Sequence, residues 1–181
     1  FPWAYAALVA VVGGERVAEL VLSRRNLRRA EARGGREVAS GHFPAMAALH
    51  TGLLLAAVLE TWLLERPWIP ALGISMLVAV ALAMALRYWA IATLGERWNT
   101  RIVVWPGAAP IVGGPYRLVR HPNYAAVAIE VAALPLIHTA WLTAGLASVL
   151  NAWVLTIRVR AEETALAATG DYARAFADRP R

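Results

Sequence analysis

Two short stretches hold most of the residue types that could do chemistry. GPYRLVRHPNY (114–124) gathers two arginines, a histidine and two tyrosines around two prolines, and RVRAEE (158–163) ends on paired carboxylates. Gly114 and Pro115 impose an irregular approach, and Pro122 restricts His121 to an extended conformation, so a helix can begin at or near Asn123. Its free N–H groups and positive dipole end would then sit among Tyr116, Arg117, Arg120, His121 and Tyr124. That arrangement suits the carboxylate or phosphate of a cofactor, and it equally suits plain anchoring beside lipid headgroups. In the second stretch Arg158 and Glu162 are four apart and share a helix face, while Glu163 lies round the side. These carboxylates can bind ribose hydroxyls, an ammonium group or the arginines of the first stretch, or they can form an ordinary solvated face.

Glu130 is the third pointer. It lies about 10 Å up the helix from Asn123 at 1.5 Å per residue. An ionisable group at such membrane depth costs roughly 2.5–3.5 kcal/mol, so it lines a cavity or finds a partner. His50, Glu15, Arg16 and Glu19 are the candidate partners, and a protonated Glu130 hydrogen-bonded to a neighbouring helix is the plainer alternative. Glu15, Arg16 and Glu19 also read as an ion pair of their own at the inner interface, with His42 interfacial.

The elements that must position these residues are apolar helices. The 181-residue chain is 59% apolar, above the ~45–50% of a soluble domain. It reads as one all-α integral membrane domain, 1–181, with about five transmembrane helices near 1–22, 43–64, 68–92, 123–138 and 139–160. A crossing takes roughly 20 residues of helix. Pro67 and Pro70 keep the second link tight, which predicts an antiparallel hairpin of spans two and three. Arg87 is placed to snorkel from span three to the cytoplasmic interface. Polar residues 23–43 read as a short helical extension and a turn at Gly34-Gly35. IVVWPGAAPIVGGPY (102–116) cannot be a continuous helix. Pro135 is tolerable because neighbouring helices can satisfy freed backbone groups. Beyond Ile157 a helix leaves the membrane, breaks at Gly170 and resumes as an amphipathic piece.

Charge placement gives an orientation. All eighteen basic residues are arginine. They crowd the loops after the first, third and fifth spans, the last group including Arg174, Arg179 and Arg181, whereas the second link holds only Arg66. Basic loops stay inside, so the N-terminus is expected outside, with the C-terminus and active site cytoplasmic. The first span is not a signal peptide, because its basic block follows the apolar run. The net charge of +6 fits arginines beside anionic lipids better than a nucleic-acid surface. Without cysteine there is no disulfide, thiolate or Cys-bound metal. Four scattered histidines without H-E-x-x-H give no metal site, and no G-x-G-x-x-G follows a strand.

Taken together, GPYRLVRHPNY and RVRAEE resemble the isoprenylcysteine carboxyl methyltransferase family, membrane enzymes that use S-adenosylmethionine. The resemblance spans roughly Leu94–Phe176. RNLRRAEARGG and HFPAMAALHT in the front half look more like the bacterial branch that methylates long-chain alkylpyrones or alkylresorcinols, which implies the bacterial inner membrane. The resemblance implies a cofactor region at 95–124 and 158–176. There Gly114, Pro115, Tyr116, Arg120, His121, Pro122 and Tyr124 hold S-adenosylmethionine and its product S-adenosylhomocysteine. Glu162 and Glu163 close the pocket, and Arg158 faces the reacting group. The lipophilic acceptor enters sideways from the membrane lipids. In this family the C-terminal segment usually runs on past the final Arg-Pro-Arg, so part of the lid is expected beyond Arg181.

Methyl transfer from a sulfonium is an in-line displacement that depends on holding the reacting atoms ~3–3.5 Å apart. A carboxylate acceptor needs only Arg158 to orient it. A phenol or enol must lose a proton, which gives Glu130, His121 or a water a general-base role. A small lipidic hydroxyl is the favoured acceptor. RHPNY also resembles the motif of NADPH-dependent membrane sterol reductases, but the Glu162-Glu163 pair would oppose a 2′-phosphate. A non-enzymatic helical membrane protein, its arginines serving only topology, is the third reading.

Overall fold

The computed structural model describes residues 2–38, 41 and 43–168. His42, Gly170, Arg174, Phe176, Arg179 and Arg181 lie outside the described residues, and with them the expected break and amphipathic tail. Five helices make up the body: α1 (Pro2–Ala32), α2 (Phe43–Leu63), α3 (Pro70–Leu94), α4 (Pro122–Leu136) and α5 (Trp141–Ala167). An antiparallel ribbon joins β1 (Arg36–Val38) to β2 (Ile102–Val104), with Glu37 opposite Val103. The ribbon is an addition to the all-α reading. It ties the loop after α1 to the loop after α3.

Three helical stretches are long and apolar enough to cross a membrane: Phe43–Leu63, Pro70–Arg97 and Trp141–Ala167. α1 has the length but carries Glu15, Arg16 and Glu19 midway. α4 has 15 residues, about 22 Å of helix against a hydrocarbon core of roughly 30 Å. Around the outside Val11, Leu55, Leu82, Leu146, Val149 and Trp153 are exposed. Such an apolar exterior matches a lipid solvent rather than water.

The core follows from small residues that let helices approach. Tyr5, Val9 and Val12 of α1 pack with Ala57 of α2, Val80 of α3 and Ala133 and Leu134 of α4. A second cluster joins Leu53, Val127, Val131 and Ala147. α3 packs chiefly on α4, and α2 packs on α1 and α5. The second and third spans are joined by the expected tight link and share one core cluster, but each packs more extensively on other helices. Gly73 supplies one reason, since the Trp68 ring and the Ile137 carbonyl press where its side chain would be, docking the start of α3 against the α4–α5 turn.

The helix ends are satisfied locally. Beyond Pro135 the His138 N–H turns to the Pro135 carbonyl, and the Leu134 carbonyl accepts the Tyr5 hydroxyl at 3.0 Å. The Tyr5 hydroxyl of a neighbouring helix thus satisfies a carbonyl left open where α4 ends. Glu60 accepts the N–H groups of Leu142 and Thr143 at 3.2 and 2.7 Å, placing a carboxylate at the positive end of α5. At the opposite end, α1 stops at a turn where Gly34 has φ +83° and Gly35 N–H reaches back to the Ala30 carbonyl at 2.8 Å. Left-handed backbone of this kind favours glycine.

Candidate active site

α5 runs past the expected membrane boundary to Ala167 as unbroken helix. Arg158, Glu162 and Glu163 therefore project from one rigid element toward the loop that precedes α4. That loop folds as a 3-10 turn over Gly114–Arg117, with Pro115 and Tyr116 buried. Gly114 adopts φ +53°, and a Cβ there would collide with the Thr93 side chain. His121 is the N-cap of α4 and Pro122 its first residue, so the helix begins where the sequence placed it.

The two sequence clusters meet. The Tyr124 hydroxyl donates to Glu162 Oε2 at 2.6 Å. Glu163 Oε1 lies 3.4 Å from His121 Nε2 and 3.7 Å from Arg120 Nη1. The His121 and Tyr124 rings stack with centroids 5.5 Å apart, and the Arg158 guanidinium sits 5.8 Å from the Tyr124 ring centre. Arg158 is 3% exposed and donates through Nη2 to the Thr100 carbonyl at 2.8 Å.

These residues border a cavity of about 180 Å³ that extends from the loops into the bundle. Tyr116, His121, Tyr124, Arg158 and Glu162 line it. Gly114, Pro115, Arg120, Pro122 and Glu163 stand behind the wall, shaping the turn or closing the outer contact. Several polar atoms at the cavity have no hydrogen-bond partner within the protein, although they are buried: Arg158 Nε, Asn123 Oδ1, Arg16 Nε and Glu19 Oε1. Donors and acceptors left open in this way are costly unless something pairs with them. Together they fit a polar ligand with both donor and acceptor groups.

Glu130 pairs, as its depth required, with Arg16 among the candidates and with Arg87 besides. It accepts from Arg87 Nη2 at 2.7 Å, and Arg87 Nη1 also donates to Glu19 at 3.2 Å. Arg16 in turn donates to Glu19 at 2.9 Å and lies 3.8 Å from Glu130. Arg87 is 4% exposed, which corrects its expected snorkelling to the interface. Glu130 is its counter-ion and is not among the described residues lining the cavity, whereas Arg16, Glu19, Arg87 and His50 are. His50 is not a partner of Glu130 by hydrogen bond; its Nδ1 meets the Met46 carbonyl at 2.8 Å.

Sequence reading missed a polar clasp beside the cavity. Ser23 Oγ is 2.7 Å from both Asn99 Oδ1 and Thr100 Oγ1, and Asn26 Nδ2 donates to the Trp98 carbonyl at 2.8 Å. Arg101 makes two contacts to Glu37, at 2.8 and 3.0 Å, and covers the Phe43 ring at 4.4 Å. Small polar residues in an irregular loop carry no periodic signal. Only the unusual Ser23 and Asn26 on an otherwise arginine-rich stretch hint at them.

The family model for the isoprenylcysteine carboxyl methyltransferase (ICMT) family matches residues 71–168, which contain α3, the loop, α4 and α5. Among curated proteins, the uncharacterized protein YpbQ of Bacillus subtilis strain 168 is 37% identical over 161 residues, covering 88% of this chain and 94% of that protein. No solved structure matches. With both sequence clusters inside the matched region and joined around one cavity, the chain belongs to the isoprenylcysteine carboxyl methyltransferase family, an integral membrane methyltransferase family.

Proposed function

We propose that this protein is an S-adenosylmethionine-dependent O-methyltransferase whose acceptor is a lipophilic molecule, either an isoprenylcysteine-type carboxylate or the hydroxyl of a long-chain alkylpyrone or alkylresorcinol. The observation that carries the reading is the junction of Tyr124 with Glu162 and of His121 with Glu163 at a cavity that holds unpartnered polar atoms. When bound, the cofactor supplies an electrophilic methyl group on a sulfonium. Tyr116, His121, Tyr124 and Glu162 would hold it, with Arg120, Glu163, Gly114, Pro115 and Pro122 keeping the loop in shape. Arg158 is fixed to the Thr100 carbonyl by Nη2 and keeps Nε for a ligand oxygen. A planar guanidinium suits that divided task.

The acceptor is taken from the bilayer between helices, and the cofactor from the cytoplasm. In this reading all five helices cross the bacterial inner membrane, with the N-terminus outside and the clasp, the ribbon and the C-terminus inside, beside anionic lipid headgroups. The arginine-rich loops support that orientation, and the short α4 is accommodated by local thinning or by burial among its neighbours.

A thermal-shift titration of the purified protein tests the cofactor. S-adenosylhomocysteine at 100 times its Kd is expected to add about 2.7 kcal/mol of stability, and NADPH to add nothing. Stabilisation by NADPH alone would replace this reading with a sterol-reductase-like activity.

A further inference from the structure

The cavity wall contributed by α2 holds one residue that the cofactor contacts leave unused. His50 lines the cavity, and its Nδ1 lies 2.8 Å from the Met46 carbonyl of its own helix. A carbonyl only accepts, so Nδ1 carries the hydrogen and Nε2, on the far edge of the ring, keeps the basic lone pair. The backbone contact therefore sets the tautomer. Nε2 is not among the buried atoms left without a partner, which agrees with an edge turned toward open space.

The other charged groups at this end of the cavity each already hold a partner, although Glu19 Oε1, Arg16 Nε and Arg158 Nε are left without one. Glu19 of α1 is gripped on Oε2 by Arg16 and Arg87, and Glu130 of α4 is held by Arg87. Arg158 is held by Thr100 and Arg101 by Glu37. Glu162 accepts from Tyr124, and His121 faces Glu163. Tyr116 borders the same space from the loop. His50 is the one wall residue on α2 able to accept a proton, and it sits beside Met46, Ala47 and Thr51, which give that side a mostly apolar lining.

We propose that His50 is the general base for an acceptor hydroxyl, so that the substrate class is an acidic phenol or enol on a lipid tail and not a carboxylate. The inference rests on the methyltransferase reading. As the hydroxyl O–H bond gives its proton to Nε2, the oxygen electron pair forms the O–CH3 bond. The methyl–sulfur bond breaks with its pair returning to sulfur, leaving a neutral thioether and a histidine cation. The cation then returns its proton to water. A carboxylate, ionised at neutral pH, would have no use for such a base.

Four histidines make selective 15N-histidine labelling practical in detergent. His50, assigned by its loss in His50→Gln, is expected to show the Nδ1–H tautomer and to shift at Nε2 when pentadecylresorcinol is added. An Nε2–H tautomer, or no response to the phenol, overturns the assignment. In turnover, His50→Gln is expected to lower kcat on pentadecylresorcinol at neutral pH by about 100-fold or more, the scale of general-base catalysis. Raising the pH should recover much of the loss as solvent supplies the phenolate, and a ring-fluorinated, more acidic alkylresorcinol should lose less. N-acetyl-S-farnesylcysteine is expected not to be methylated.

S-adenosylhomocysteine stabilisation of His50→Gln equal to wild type confirms that the variant is folded and that the cofactor site is intact. Unchanged kcat in that variant, alkaline rescue confined to Glu19→Gln, or methylation of the farnesylcysteine alone would each overturn the role given to His50. Failure of the wild-type protein to bind S-adenosylhomocysteine would instead remove the methyltransferase reading beneath it, and the proposal with it.

Discussion

At the scale of single residues, Arg158 is the side chain whose role depends most on its shape. Its Nη2 is spent on a loop carbonyl, its guanidinium lies near the Tyr124 ring, and its buried Nε has no hydrogen-bond partner within the protein. A lysine can place one ammonium but cannot serve both directions. Arg158→Lys is therefore expected to lower kcat by roughly 10–100-fold while changing the Kd for S-adenosylhomocysteine by less than about threefold, a split that marks loss of an interaction made mainly in the transition state. Titration calorimetry beside steady-state rates checks it; equal losses in both would make Arg158 a cofactor ligand. That Tyr116, His121, Tyr124, Arg158 and Glu162 would share one place was implied by the resemblance of the two stretches to the family pattern, whereas their spacing alone fitted a lipid anchor and a solvated helix face equally well. The principal partner of Glu130 was not read: its depth called for a cavity or a partner, and beside the candidate Arg16 the structure supplies Arg87, 43 positions away on another helix. Pairings of that kind depend on which helices become neighbours, and spacing along one helix says nothing of it.

The elements that hold these side chains are short and irregular, and their stability should be separable from the chemistry. Gly114 combines φ +53° with a neighbouring Thr93 side chain that leaves no room for a Cβ, so alanine there incurs the left-handed penalty of roughly 1–2 kcal/mol as well as a steric one. Gly114→Ala is expected to lower the Tm in detergent and to weaken S-adenosylhomocysteine binding by about tenfold. Adding Thr93→Ala should recover part of the loss by removing the clash and not the strain. Retention of both properties in the single variant would show that the turn is not held by this contact. The helix starts and the Gly34 turn could be read from proline and glycine. The β1–β2 ribbon could not, since three-residue strands make no pattern of their own and exist through each other. The neighbour choice of α3 escaped for a similar reason: a tight link fixes direction, while the small faces at Gly73, Ala83 and Ala90 decide which helix comes closest.

For the molecule as a whole, the polar groups divide by end as well as by depth. Tyr5, Trp62 and the Glu60–Arg66 pair occupy one end of the bundle. The clasp of Ser23 and Asn26 with residues 98–100, the Arg29–Glu96 and Arg33–Glu96 pairs and the cavity mouth occupy the other. Between them the Arg16–Glu19–Arg87–Glu130 network lets charge lie at depth, because each guanidinium there meets a carboxylate. An unpaired member at that depth would be expensive. Under the proposed function this polarity ties orientation to chemistry, since a methyl donor drawn from the cytoplasm would reach Arg158 only with the arginine-rich end facing inward. The chain has no cysteine, so single cysteines report accessibility without a background. Leu118 and Leu64 are both exposed, in the loop before α4 and in the turn after α2. In intact cells a membrane-impermeant maleimide is expected to label Leu64→Cys and to spare Leu118→Cys until the cells are lysed. The reverse pattern would put the cavity mouth outside, away from any intracellular methyl donor. Labelling of both would mean that an even number of crossings separates the two loops, and α3 alone could not then be the one span between them.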